Sequence, residues 1–212
     1  MSRRRREAVR GREAATRDGS GLRWPGASAR FALFGEVLWV GVLCCVAGLG
    51  IVTIPAAFAA GSAHLHRFLR AEDSSLRHFA ADFTAALRTG WLVGLGVVLG
   101  VALLLLDIVV AAARILPGWQ FVLAMGVVLL VALLAALAGT TARWQDSRSW
   151  RTAGIQWVRD VRRDPAGVVW LAFAVGLTAI VAWQLPPLVV PGIGCLVFAA
   201  LATSVRDRPT RS

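Results

Sequence analysis

The stretch GLGIVTIPAAFAAG, from Gly48 to Gly61, lies where a long apolar run that begins at Phe31 meets a proline. Flexible glycines followed by Pro55 can end one helix and start another, because glycine weakens a helix interior and proline suits the first turn of a helix. One continuous helix through these residues would place every later loop on the opposite side of a membrane. The way in which the chain threads therefore depends on this stretch.

The composition is that of a membrane protein rather than of a soluble domain. Of the 212 residues, 57% are hydrophobic, and the apolar residues are concentrated in long blocks. Blocks of about 20 apolar residues can cross the hydrocarbon core of a bilayer as helices. The blocks cover approximately residues 31–60, 91–113, 119–142, 167–183 and 188–205.

The arginines distinguish two ways of threading these blocks. The chain carries a net charge of +11 and its 23 basic residues are all arginine. If each block is one span, 10 arginines lie on the cytosolic side and 13 on the outer side, against the rule that positive charge stays inside. If the chain turns at the opening stretch, 22 arginines lie inside and only Arg114 lies outside. We therefore expect the turn.

The predicted fold is an all-α membrane bundle of about six transmembrane helices arranged as three hairpins. The first two helices, about Phe31–Val46 and Pro55–Leu69, are short for a bilayer of ~30 Å. Whether they fully span it or form a re-entrant hairpin stays open, because both arrangements place the later loops identically. The three turns contain proline, at Pro55, Leu116-Pro117-Gly118 and Leu185-Pro186-Pro187.

Two segments, 74–89 and 147–163, have helical amphipathic patterns and precede the second and third hairpins. Their apolar residues recur at three- and four-residue spacing, whereas arginines occupy much of the opposite faces. Such helices lie at a membrane surface with the apolar side toward lipid or the bundle, or they dock onto a partner protein, and the pattern leaves these alternatives open. The candidate contact residues are Leu76, Phe79, Phe83, Leu87, Trp150 and Trp157.

Both ends of the chain are arginine-rich and poor in large apolar residues. We expect residues 1–30 to be a disordered cytosolic tail, residues 31–205 to form the helical transmembrane domain, and residues 206–212 to be a cytosolic C-terminal tail. A cleaved signal peptide fits poorly, because the apolar run after the tail exceeds a signal core of about 7–15 residues.

Two carboxylates interrupt the apolar blocks and are the candidate intramembrane polar sites. Asp107 is deep in the third helix and Glu36 is near the inner end of the first. An ionisable side chain within a span is a functional hypothesis because its burial is costly, although each could instead have only a structural role. We expect no metal or other cofactor and no catalytic residues, since His64 and His66 point apart on a helix and no catalytic or phosphate-loop motif is present.

Several short motifs resemble those of the YesL-like family of bacterial integral membrane proteins. They are Leu38-Trp39, IVTIPA at 51–56, RFLRAED at 67–73, His78-Phe79 and Asp82-Phe83. Family members often have Thr-x-Gly-Pro-Ala at the turn, and this chain lacks that glycine. The resemblance covers less than half of the chain, and because the family has no established biochemical activity, its motifs do not indicate any chemistry. It implies an accessory role in sugar transport, because members are often encoded beside carbohydrate-uptake genes.

These observations predict a non-enzymatic accessory or interaction protein of the cytoplasmic (inner) membrane, linked to carbohydrate uptake, with both termini in the cytosol. Its expected partners are the lipid bilayer and a membrane transporter component. Nucleic acid is not expected, since the arginines follow membrane topology and no nucleic-acid-binding motif is present. The alternative is a small transporter that uses Asp107 in a polar pathway.

Overall fold

The structure, a computed structural model, describes residues 25–72, 75–114 and 118–206. Of these residues 92% are helical and none forms a strand, which confirms the all-α class. The described part contains two short 3₁₀ turns, Gly48–Gly50 and Pro186–Leu188, and seven α-helices: α1 (Pro25–Ala47), α2 (Ile54–Leu69), α3 (Leu76–Ala112), α4 (Trp119–Ser147), α5 (Trp150–Arg163), α6 (Pro165–Gln184) and α7 (Val189–Arg206).

Five helical stretches within the described ranges are long and apolar enough to cross a membrane, in agreement with the membrane class predicted from composition. They are Phe31–Gly50, Leu76–Ala112, Trp119–Ser147, Pro165–Gln184 and Pro186–Ser204. The α2 helix is not among them, because its 16 residues extend only about 24 Å. Length and composition therefore support five spans and do not confirm the predicted six.

The predicted break at the opening stretch is confirmed. The α1 helix ends at Ala47, Ile51 has a positive φ of 56°, and α2 begins at Ile54 with Pro55 in its first turn. The hydroxyl of Thr53 donates a hydrogen bond of 2.6 Å to the carbonyl oxygen of Ala47. The turn thus connects the end of one helix directly to the start of the next.

The α2 helix is the most enclosed element in the described chain. Its residues are buried almost without interruption from Pro55 to Leu65, and α3, α4 and α7 pack around it. The thiol of Cys44 donates to the carbonyl oxygen of Ala57 at 3.3 Å. A Cβ on Gly61 would lie 2.6 Å from the Cys44 sulfur, so the small residues of α2 allow this close packing.

The α3 helix corrects the predicted division between the segment 74–89 and a span at 91–113. Both belong to one uninterrupted helix of 37 residues, because no proline separates them and Gly90 lies within the helix. A side chain at Gly90 would overlap the indole of Trp150, so glycine is needed there for packing. The two halves of α3 differ: Phe79, Asp82 and Ala86 are buried, whereas only 6% of the most apolar window is buried.

The helix ends also revise the predicted domain boundaries. Since α1 begins at Pro25, residues 25–30 are helical rather than part of the expected tail, and Arg206 is the last residue of α7. The rest of the two predicted tails, residues 1–24 and 207–212, lies outside the described residues. The predicted stop of α5 before Asp164 is confirmed, and the Asp164 carboxylate accepts a 3.2 Å hydrogen bond from the backbone N–H of Gly167 in α6.

Candidate functional site

A buried carboxylate, Asp82, joins three helices. It lies in the N-terminal half of α3, is 2% exposed, and accepts hydrogen bonds from two guanidinium groups. One belongs to Arg67 in the last turn of α2, and the other to Arg148, 2.9 Å away at the end of α4. Arg148 has a left-handed backbone conformation that ends α4 and directs the chain into α5. Two charged donors satisfy a carboxylate that would otherwise be costly to bury.

A cavity of about 320 Å³ lies beside this ion-pair cluster. Its walls come from the end of α2, the end of α4 and Asp82 of α3. The basic side chains that line it are His66, Arg67, Arg70 and Arg148, and the acidic ones are Glu72, Asp82 and Asp146. The cavity therefore has a charged wall that carries residues of both signs.

Three lining residues present buried nitrogen atoms without a hydrogen-bond partner among the described residues. They are Arg67 through Nη1, Trp144 through Nε1 and Gln145 through Nε2. Trp144 is 1% exposed. Indole and guanidinium nitrogens can only donate, and a buried donor without an acceptor costs about 1–3 kcal/mol. The cavity thus offers donors that an acceptor-rich group would satisfy.

A second ion pair attaches α5 to α4. Arg143 is buried, and its Nε donates to the Asp160 carboxylate at 2.6 Å while its Nη1 donates to the carbonyl oxygen of Gly139 at 2.9 Å. The guanidinium carbon also lies 5.2 Å from the ring centre of Trp157, a cation–π distance. A smaller cavity of about 200 Å³ next to this pair includes Ser204 near the end of α7.

The two tryptophans of α5, for which lipid, the bundle and a partner protein were all left open, fill the bundle interior. The indole N–H of Trp150 donates to the carbonyl oxygen of Ala86 at 3.1 Å, and Trp157 packs into the space left by Gly139. Both residues are buried. Of the alternatives left open by the pattern, the bundle takes this face of α5.

The candidate residues of the segment 74–89, like the two tryptophans, pack mostly inside the bundle. The Phe79 ring is buried with its edge toward His64 at 6.2 Å, and it stacks on Phe83 at 6.5 Å. Leu87 packs with Phe83 against a buried cluster that includes Trp144 and Trp150. Only Leu76, at the start of α3, is exposed.

Next to the buried face, and bordered by Trp150, α5 carries an exposed apolar surface, which we call the α5 strip. Ile155 and Val158 are 45% and 50% exposed there, and no atom lies within 4 Å of the position that a Cβ on Gly154 would occupy. The strip is a shallow apolar groove of about 490 Å³. It is bordered by three arginines, Arg151, Arg159 and Arg162.

The two carboxylates predicted as intramembrane sites lie apart from these cavities. Asp107 is exposed on α3, and its carboxylate is 3.2 Å from the position that a Cβ on Gly126 of α4 would occupy. Glu36 is half-buried in α1. Neither lines the two charged cavities, and no cluster of three metal-ligating side chains occurs within the described ranges.

Sequence reasoning missed the cluster around Asp82, although a signal for it was present. Asp82 falls three residues after Phe79 and four before Ala86, so it shares the apolar face of its segment. A carboxylate on an apolar face indicates a buried charge with a basic partner. The partners themselves are 15 and 66 residues away in sequence, and local periodicity does not identify them.

No family model matches the chain, and comparisons with curated proteins and with solved structures give no match. The resemblance to the YesL-like family therefore remains a prediction. Two of the motifs that carry the resemblance contain the partners of one ion pair: RFLRAED at 67–73 contains Arg67, and Asp82-Phe83 contains Asp82.

Proposed function

We propose that the chain is a multi-pass protein of the cytoplasmic membrane with both termini in the cytosol. The arginine distribution supports this orientation, since the arrangement with a turn after α1 leaves only Arg114 outside. The helix break at 48–53 supplies the turn that this arrangement requires. A reporter fused after Leu87 tests the orientation: cytosolic activity is expected, and periplasmic activity would contradict it.

Within this topology, α1 and α2 form a re-entrant hairpin rather than two full spans. A Cβ on Gly94 of α3 would overlap the carbonyl oxygen of Val52, so the turn meets α3 well before its end. The α3 helix continues about 27 Å beyond that point.

Cysteine labelling separates the re-entrant hairpin from full spans. Ile51 is the exposed residue at the tip of the turn, and Ile51→Cys in a chain without its native cysteines can be probed in intact cells. A membrane-impermeant thiol reagent added outside is expected to leave this position unlabelled. Arg114→Cys, in the predicted outer loop, is the positive control, and equal labelling of both positions would show that α1 and α2 cross completely.

The proposed activity is that of a non-enzymatic accessory protein that holds a transporter component through the α5 strip. The observation that carries this proposal is the pairing of exposed Ile155 and Val158 with a border of three arginines on a helix already anchored by its tryptophans. The groove at Gly154 accommodates a side chain of a partner. The arginine border favours a partner segment that is apolar in its centre and acidic at its edges.

Photo-crosslinking tests the partner assignment in native membranes. A photoreactive residue in place of Val158 is expected to form a defined adduct with a transporter component, and Arg159→Glu should reduce the yield by charge repulsion. Phe173, exposed on the candidate span α6, is the matched control and should react only with lipid. If position 158 also reacts only with lipid, the accessory role through α5 is wrong.

The link to carbohydrate uptake rests on the family resemblance alone, and sugar uptake in a strain lacking the protein tests it. The alternative, a small transporter using Asp107, has less support, because Asp107 is exposed and lines neither charged cavity. Sugar uptake that continues after deletion of the proposed transporter component, but is lost in Asp107→Asn, would favour that alternative.

A further inference from the structure

We infer that the cavity beside Asp82 binds a small uncharged polyhydroxy compound, an alcohol of the size of one sugar unit. The cavity lies between the ends of α2 and α4 and includes Asp82 of α3, and it shares no lining residue with the groove of the α5 strip. A ligand in this cavity is therefore separate from the proposed partner of α5, and either proposal can be wrong without the other.

The charges on the cavity wall balance, which favours a ligand without net charge. The ionised side chains that line it are those of Arg67, Arg70 and Arg148 and the carboxylates of Glu72, Asp82 and Asp146. Of these only Asp82 is buried, and it already binds two of the guanidinium groups. A charged ligand would lose its hydration on entering without meeting an excess of the opposite charge, so its binding would be costly.

Three buried nitrogen atoms on the wall need an acceptor. Nε1 of Trp144, Nη1 of Arg67 and Nε2 of Gln145 have no hydrogen-bond partner within the described part of the chain. Indole and guanidinium nitrogens can only donate, so a ligand that satisfies them must supply acceptor oxygens. An apolar ligand or an ammonium group would leave these donors unpaired.

The same wall can also accept hydrogen bonds. The Asp82 carboxylate uses one oxygen for Arg67 and the other for Arg148, whereas its two oxygens together can accept about four bonds. A hydroxyl group both accepts and donates, so a compound with several hydroxyls can bond with the nitrogen donors and with this carboxylate. A carbonyl or ether oxygen could serve only the donors. The combination therefore indicates a polyhydroxy compound.

The size of the cavity suits one such molecule. A volume of 320 Å³ corresponds to roughly ten water molecules at ~30 Å³ each. This leaves room for one linear sugar alcohol such as sorbitol, and too little for a chain of several sugar units.

Three probes that differ in one terminal group measure the preference for an uncharged ligand. The full chain in phosphatidylcholine nanodiscs is titrated with sorbitol, gluconate and glucamine, which carry an alcohol, a carboxylate and an ammonium group at the end of the same polyhydroxy chain. Saturation-transfer NMR gives each dissociation constant, and empty nanodiscs provide the blank. We expect sorbitol to bind about tenfold more tightly than either ion, because only the ions lose the hydration of a charge.

Two tryptophan variants locate the binding in this cavity. Trp144→Phe removes the unpartnered indole donor and should weaken sorbitol binding about fivefold, as for loss of one hydrogen bond between neutral groups. Trp150→Phe removes an indole N–H that is already bonded to Ala86 and should leave the affinity unchanged. If Trp144→Phe does not fold, Gln145→Leu takes its place, with weaker binding again expected.

Three results would overturn the inference. The first is no sorbitol binding above that of empty nanodiscs, which would mean that the cavity holds only water. The second is binding of gluconate or glucamine that equals or exceeds the binding of sorbitol, because the site would then select a charge. The third is an unchanged affinity for sorbitol in both Trp144→Phe and Gln145→Leu.

Discussion

The two halves of α3 have similar helical geometry and opposite surroundings. From Leu76 to Gly90 the helix buries Phe79, Asp82 and Ala86 against α2 and α5, whereas beyond Trp91 it exposes Leu92, Leu99 and Leu103. The first half is fixed by specific contacts, including a buried ion pair and an indole hydrogen bond. The second half has the surface expected of a helix in lipid, where apolar exposure carries no penalty.

The comparison shows that the most apolar residues of α3 are not the residues that make specific contacts with the rest of the protein. The most apolar part of α3 is the part that contacts the rest of the protein least. The less apolar part, together with α2, α5 and the end of α4, contains the buried charges and the cavity lined by Trp144. Substitutions of the same chemical kind should therefore have large effects in the first half and small effects in the second.

The largest difference is expected for two aspartates on the same helix. Asp82→Asn removes the buried charge shared by two arginines and leaves the half-buried Arg67 without its counterion, which should cost about 3 kcal/mol. Asp107→Asn changes an exposed side chain and should alter stability by less than about 0.5 kcal/mol. The free energy of unfolding in detergent micelles measures both, and equal losses would contradict the comparison.

A pair of glycines gives the next largest difference. In Gly94→Ala the new methyl group meets the carbonyl oxygen of Val52, which cannot move without shifting the turn, so we expect a loss of about 1–3 kcal/mol. Gly96→Ala has open space around its Cβ and should gain up to about 1 kcal/mol from helix propensity. Thermal unfolding of the two variants checks this, and stabilisation by Gly94→Ala would show that the turn does not pack on α3.

A smaller difference is expected between two tryptophans. Trp150→Phe loses the buried hydrogen bond to Ala86 and should cost about 1–2 kcal/mol. Trp183→Phe, at the exposed end of α6, should change stability by less than about 0.5 kcal/mol. Chemical denaturation provides the values. Comparable effects at both sites would mean that Trp150 is not anchored in the bundle.

The smallest effect is expected for Arg148, the more exposed of the two arginines that bind Asp82. The Arg148 side chain is 60% exposed, so Arg148→Gln should cost only about 0.5 kcal/mol, and 1 M salt should remove most of the difference. Arg67 still neutralises Asp82 in this variant. A salt-insensitive loss similar to that of Asp82→Asn would show that Arg148 is the main partner of the carboxylate.

Local signals predicted much of the fold. The glycines and proline at 48–55 indicated the break after α1, Asp164-Pro165 indicated the end of α5, and long apolar blocks indicated the candidate spans. The division of α3 was wrong, because a change in amphipathic pattern at Gly90 was interpreted as a helix boundary. A helix continues through such a change when backbone hydrogen bonding is uninterrupted and no proline intervenes.

The candidate site was less predictable, because it depends on contacts that are distant in sequence. Asp82 could be recognised as a carboxylate on an apolar face, but its pairing with Arg148 depends on how α3 and α4 pack. The unpartnered donor of Trp144 has no signature in the sequence at all. The amphipathic pattern of α5 left lipid, the bundle and a partner protein open for Trp150 and Trp157, and these two residues pack in the bundle.

Nitroxide scanning along α3 in lipid bilayers would test most directly whether this helix changes environment near Trp91. In a chain without native cysteines, labels at exposed positions such as Arg77 and Arg88 should be accessible to a water-soluble relaxation agent. Labels at Leu99 and Leu103 should instead be accessible to oxygen and shielded from that agent. Accessibility to the water-soluble agent along both halves, or shielding from both agents beyond Trp91, would contradict the proposed contrast between a protein-packed half and a lipid-facing half.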